Sequence, residues 1–205
     1  MAAFSYHTIA DPTMGIYKEK GSKFIAFAYP VDSEIEIKQR LDELKKQYFD
    51  ARHHCYAWIL GPDKARLRCF DDGEPNHSAG DPILGKIRSG DLTNILVVVV
   101  RYFGGIKLGV GGLISAYKAA AEDALQKARI IEKIVMAEVE VSFEYEITSD
   151  VMRIMKESEA KILAQNFADR TVLQISVPLK EKNKLQACLD LMKAMGKFID
   201  WEFKS

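Results

Sequence analysis

Three carboxylates fall within four residues at Asp71, Asp72 and Glu74, with His77 close behind and His53 on the preceding apolar stretch. Carboxylates this close, flanked by an imidazole, can hold a hard cation or serve as acid and base. A hydrolase or nucleotide-dependent enzyme using Asp71, Asp72, Glu74 and His53 is therefore one reading. The other is structural. A DDGEP turn before a helix is explained by Asx-turn hydrogen bonds, a rigid Pro75 and negative charge near a helix N-terminus. His53, His54, Cys55, Cys69 and His77 form a second group, and a hairpin register could bring Cys55 close to Cys69. Paired C-x-x-C or H-x-x-x-H spacings are missing, and no oxyanion site accompanies a Cys55–His53 pair, so neither zinc nor a thiol nucleophile is favoured. The cysteines are expected to be free and structural, with no metal and no cofactor bound.

The stretch RYFGGIKLGVGG, Arg101 to Gly112, follows a β-branched apolar run and opens a helix predicted to begin near Gly111 or Gly112. Its glycines let the backbone approach another surface or take positive φ. Arg101 and Lys107 stand beside the unpaired N–H groups of the helix start, which suits an anion. The loop is not a P-loop, lacking a terminal G-K-[ST], and it lacks the acidic partner of a dinucleotide-binding fingerprint. It is either a structural corner or a docking surface. Tyr102 and Phe103 beside N–H-rich backbone favour docking of RNA or protein. The candidate binding residues are Arg101, Tyr102, Gly104, Gly105, Lys107, Gly109, Gly111 and Gly112. Valine at Gly111 should be costly if that glycine has positive φ or touches a partner.

These residues need elements to hold them. Met14 to Tyr17 and Lys23 to Val31 read as strands around Gly21. Ser33 and Glu36 have capping-box spacing, and Ile37, Leu41, Leu44 and Tyr48 recur at helical period. A hairpin, His53 to Leu60 and Ala65 to Asp71, turns at GPDK, with His53, Cys55, Ala57 and Ile59 on one side. Ser78 and Asp81 predict a second capping box, with Pro82 in the first turn of a helix ending near Ser89. After the strand Ile95 to Val100 and the glycine loop, Leu113, Ala116, Tyr117, Ala120, Ala121 and Ala124 give a small-residue helical face suited to packing on a sheet. From Val135 the pattern alternates polar and apolar, and the order becomes βαββαβ: Ala137 to Ile147, Asp150 to Glu157, Lys161 to Phe167, Thr171 to Leu179, Lys182 to Met195 and Lys197 to Phe203. The fold class is α+β in two domains, 1–134 and 135–205, each with its own core and with a protease-sensitive junction near Lys133.

Composition narrows the function. The 205 residues are 48% hydrophobic and 28% charged, the profile of an ordinary globular protein. The 29 basic residues balance 29 acidic ones, without the excess of a dedicated nucleic-acid binder. Three unevenly spaced cysteines do not make a secreted disulfide framework. The N-terminal stretch has no cationic start followed by an apolar segment, and no apolar run is long enough to span a bilayer. A cytoplasmic protein without a membrane partner is expected; oligomeric state is left open.

Three stretches taken together, ARHHCYAWILG, DDGEPNHSAGDPIL and VVVVRYFGGIKLGVGGLISAYKAA, resemble the IMPACT/YigZ family in order and spacing. The resemblance covers the first domain, and the βαββαβ tail is similar to the additional C-terminal domain of bacterial members. It implies an N-terminal fold like that of the second domain of a small-subunit ribosomal protein and domain IV of elongation factor G, with a ferredoxin-like C-terminal domain. It also implies a non-catalytic regulatory role connected with translation, with RNA, the ribosome or a translation-associated protein as partner. The companion domain of eukaryotic members differs, so their partner does not transfer. The family pattern often has a basic residue where this chain has Ser115, which leaves Arg101 and Lys107 as the main anion contacts.

Overall fold

The computed structural model describes residues 3–167 and 169–204. Its contacts gather into two compact units, Ser5–Lys133 and Ile134–Ser205 with Met1–Phe4. The fold is α+β throughout.

In the first unit the elements run β1 (Ser5–Ile9), β2 (Thr13–Glu19), β3 (Ser22–Pro30), α1 (Glu34–Gln47), β4 (His53–Leu60), β5 (Arg66–Phe70), α2 (Gly80–Ser89), β6 (Ile95–Tyr102), α3 (Gly109–Gln126) and β7 (Ile130–Ile134). Five of the strands form a sheet in the order β2-β3-β6-β4-β5, with every neighbour antiparallel. The apolar run Ile95 to Val100 is buried throughout, because β6 lies in the centre and both of its faces are covered. On one face Ile95, Val97 and Val99 join Phe24, Cys55, Ala57 and the buried sides of α2 and α3. On the other, Leu96 and Val98 join Trp58 and Leu60 under Ile37 and Leu44 of α1.

Small residues on α3 permit a close approach to β2. A Cβ on Gly15 would stand 2.3 Å from the Ala124 nitrogen. Asp123 accepts the Ile16 N–H at 2.8 Å, and Thr13 Oγ1 donates to the Ala124 carbonyl at 2.9 Å. The same helix therefore covers the core and satisfies backbone on a sheet-edge strand.

The first capping box forms. Ser33 Oγ accepts from Glu36 N at 3.2 Å, and Glu36 reaches back to Asp32 N at 3.0 Å. The second does not. Ser78 is buried and its hydroxyl donates to the Pro75 carbonyl, so it is unavailable to the helix; Ala79 occupies the N-cap position of α2. The capping oxygens come instead from Asp71, eight residues upstream. Helix α3 begins at Gly109, earlier than Gly111 or Gly112, and Gly111 lies inside it without positive φ and with open space around its Cα. Strands β1 and β7, which pair with each other, have no local signature strong enough to predict; each is five residues long and their pairing is set across the whole unit. Lys133 lies in β7, so its backbone sits in a strand pair rather than an open, cleavable linker.

The second unit contains β8 (Met136–Phe143), α4 (Thr148–Glu157), β9 (Lys161–Phe167), β10 (Thr171–Pro178), α5 (Lys182–Ala194) and β11 (Ile199–Phe203). Its antiparallel sheet has the order β11-β8-β10-β9. Val139, Val141 and Phe143 pack with Leu173, Ile175 and Val177 beneath Val151, Ile154, Leu185 and Leu189 of the two helices. The first strand stops at Phe143 rather than Ile147, because residues Tyr145–Ile147 turn into a short 3-10 segment leading to α4. Gly196, at φ 79°, ends α5 in the left-handed conformation that glycine accepts at least cost.

Candidate functional site

The DDGE turn separates its carboxylates into different tasks. Asp72, Gly73 and His77 have positive φ, which curls the chain tightly enough to face its own backbone N–H groups. Asp71 Oδ1 accepts from Ala79 N at 3.0 Å and Gly80 N at 2.8 Å, while Oδ2 accepts from His77 N at 2.9 Å. Its charge thus meets the positive end of α2. Asp72 accepts the His54 N–H at 2.7 Å and ties the turn to β4. Both groups are structural braces.

Glu74 points the other way. Its Oε1 accepts from Arg101 Nη1 at 2.5 Å and from the Tyr117 hydroxyl at 2.7 Å, with both bonds buried. Tyr117 also receives the Cys55 thiol, which donates at 3.3 Å and additionally contacts the Asp71 carbonyl at 3.0 Å. Burial pushes the Tyr117 hydroxyl and the Cys55 thiol well above their ordinary values. Cys55 is therefore a buried, hydrogen-bonded thiol. Cys69 pairs with Ala57 across the hairpin rather than with Cys55, and burial followed by its hydrogen bond to Asp81 pushes its thiol up to about 11. All three cysteines are free. Among the described residues no three histidine, cysteine or acidic side chains are placed to hold a metal ion.

A cleft of about 470 Å³ lies where β4, β6, the DDGE turn and the start of α3 meet. His53, Glu74 and Arg101 line it together with Lys107 and Gly109 of the glycine loop. His53 Nδ1 sits 2.8 Å from the Asp72 carbonyl, which fixes Nδ1 as a donor and leaves Nε2 4.0 Å from Glu74 Oε1. Asp71 and Asp72 do not reach the cleft.

Arg101 and Lys107 differ in kind. Arg101 is only 6% exposed, bonded to Glu74 and held between the rings of Phe24 and Phe103 at 5.4 and 5.8 Å. Its Nε is buried with no hydrogen-bond partner among the described residues. Lys107 is exposed. Beside it α3 starts with no capping side chain and no acidic residue in its first turn, so its positive end is unopposed. Arg52 adds a further cation to the lining.

The loop glycines also divide. Gly104 abuts Gly21, where an added Cβ would lie 1.9 Å from the Gly21 carbonyl carbon; Gly105 and Gly109 have φ of 90° and 72°. Gly112 lies in the first turn of α3, its Cα side close to Leu108. Tyr102 is absent from the cleft lining, since its hydroxyl donates to Asp50 at 2.7 Å, a bond that pushes it up to about 12. Sequence reasoning missed Arg52, Pro75, Leu108, Val110 and Leu113 as cleft residues. Nothing local in the sequence distinguishes Arg52 from other surface cations.

An α+β protein with a basic cleft beside a glycine-rich loop is thus the class that fold and site define. The sequence pattern of the Impact N-terminal domain matches residues 20–125, which contain the DDGE turn, β6 and nearly all of α3. The chain is 31% identical over 182 residues to the IMPACT family member YigZ of Escherichia coli (strain K12), covering 88% of this chain and 89% of that protein. It is 35% identical over 96 residues to Protein IMPACT of Homo sapiens, covering 44% of this chain and 29% of the human protein. A crystal structure described as that of a hypothetical protein superposes with a TM-score of 0.73 at 29% identity, covering 96% of each chain. The chain belongs to the IMPACT family. Among the described residues no helix is long and apolar enough to cross a membrane.

Proposed function

We propose that this protein is a non-catalytic regulatory module connected with translation, which docks phosphate groups of RNA at the mouth of the cleft in its first unit. The observation that carries this reading is the exposed Lys107, which lines the cleft with Arg101 beside the uncapped start of α3. Lys107 supplies the exposed charge; Arg101, bonded to Glu74, shapes the cleft wall beside it. Human Protein IMPACT aligns with only part of this chain, consistent with a shared binding module and different companions. The first unit is read as the ribosomal-protein and elongation-factor-G domain IV type. The second is read as ferredoxin-like, supported by its βαββαβ order and the sheet order β11-β8-β10-β9. A cytoplasmic location accompanies this reading.

Co-sedimentation with ribosomes and with RNA across a salt series tests it. Wild type should bind with moderate affinity that falls as salt rises, and Lys107→Glu should bind several-fold more weakly with an unchanged melting temperature. Absent or salt-insensitive binding, equal in both proteins, rejects phosphate docking.

A second reading is an enzyme of the hydrolase or nucleotide-dependent type. One observation favours it: His53 and Glu74 line the same cleft as the glycine loop. Turnover of a nucleotide by wild type, abolished in a folded Glu74→Gln variant, would decide for it.

A further inference from the structure

We infer that the cleft takes a single unpaired nucleotide of single-stranded RNA, its base stacked on Phe103 and its phosphate set against Lys107 and the first turn of α3. The inference rests on the RNA-docking reading above and adds which form of RNA is recognised. Phe103 lines the cleft and is 52% exposed, although the Arg101 guanidinium lies over its ring at 5.8 Å. The residue thus stays about half open to solvent with the guanidinium in place. Arg101 is itself held by Glu74 and backed by Phe24, so the ring rests on an ordered support rather than on solvent. A half-exposed aromatic ring supported by a guanidinium, next to the N–H donors of a helix start and an exposed cation, has the parts of a base-stacking platform. Leu108 and Val110 extend the apolar lining, which favours the face of a base over further phosphate. A volume of about 470 Å³ is at the scale of one small ligand, not of a double helix. Duplex RNA keeps its bases stacked on one another and offers only its backbone to such a site.

The test compares a labelled single-stranded oligonucleotide with a duplex of the same length by fluorescence anisotropy, using the full chain. Wild type should prefer the single strand. Phe103→Ala should weaken single-strand binding by roughly five- to a hundredfold while leaving duplex binding unchanged, and Phe103→Tyr should restore it. Lys107→Glu should weaken both. The duplex also controls for structural damage, because a disturbed Arg101 would weaken both ligands. If Phe103→Ala binds single strands as wild type does, or wild type binds both forms equally, while Lys107→Glu still weakens binding, stacking is overturned and phosphate docking stands. If neither form binds in a salt-sensitive way, both readings fall.

Discussion

Arg101 and His54 illustrate how burial changes what a charged side chain contributes. Taking Arg101 out of water is tolerable because Glu74 accepts from it and two aromatic rings flank it, so the pair holds the turn to the sheet as well as shaping the cleft. His54 has less compensation. It is buried on β4, its Nε2 has no hydrogen-bond partner among the described residues, and burial lowers its pKa despite the pull of Asp72 in the other direction. Above the ordinary value of 6.5 the folded and unfolded chains both carry neutral imidazole, and the residue adds no pH dependence to stability. Below it the unfolded chain takes up a proton that the folded chain resists, so stability should fall with pH at up to about 1.4 kcal/mol per unit. Melting temperatures at pH 7.5 and 5.5 should show this drop in wild type and a smaller one in His54→Leu. Equal slopes would assign the acid sensitivity to other groups.

The glycine loop is the element in which sequence and structure diverge most. Its density of glycines marks a special backbone, and the structure shows that the individual positions have unlike reasons. Gly104 cannot accept a Cβ because the backbone of Gly21 and Ser22 occupies that space, and Gly104 N donates to Ser22 Oγ at 3.1 Å. Gly104→Ala should therefore destabilise by about 1–3 kcal/mol or more through forced displacement of the β2–β3 turn. Gly111 is helical with open space around it, so Gly111→Ala should stabilise by roughly 0.5–1 kcal/mol. Denaturant melts of the two variants should shift in opposite directions. A loss at Gly111 would point to a backbone need that the helix does not show. Of the two conditions under which valine at Gly111 would be costly, positive φ is not met, which leaves contact with a partner.

At the scale of the whole molecule, each compact unit carries its own apolar core, with residues between Ile9 and Ala128 in the first and between Ala137 and Phe203 in the second. We propose that the two fold independently. Residues 1–134 expressed alone should give a soluble fragment with a cooperative melting transition. An aggregated fragment without a transition would show that the first unit needs the second. Only one residue separates β7 from β8, so proteolysis between them should be slow.

Periodicity alone was enough for most elements, since alternating runs such as Val139, Val141 and Phe143, and helical repeats such as Ile37, Leu41 and Leu44, each point to one buried face. The three-stretch resemblance was likewise legible, because its residues lie in continuous segments. What lay beyond the sequence was every relation that depends on residues brought together from afar. Asp71 rather than Ser78 caps α2; Glu74 alone of the three carboxylates reaches Arg101, and does so across 27 positions; Gly104 is required by Gly21, which precedes it by most of the sheet. Local pattern records which face of an element avoids water, a short-range property of side-chain spacing. Which donor meets which acceptor, and which glycine has a neighbour in its Cβ space, is decided by packing between elements, and only the tertiary structure contains it.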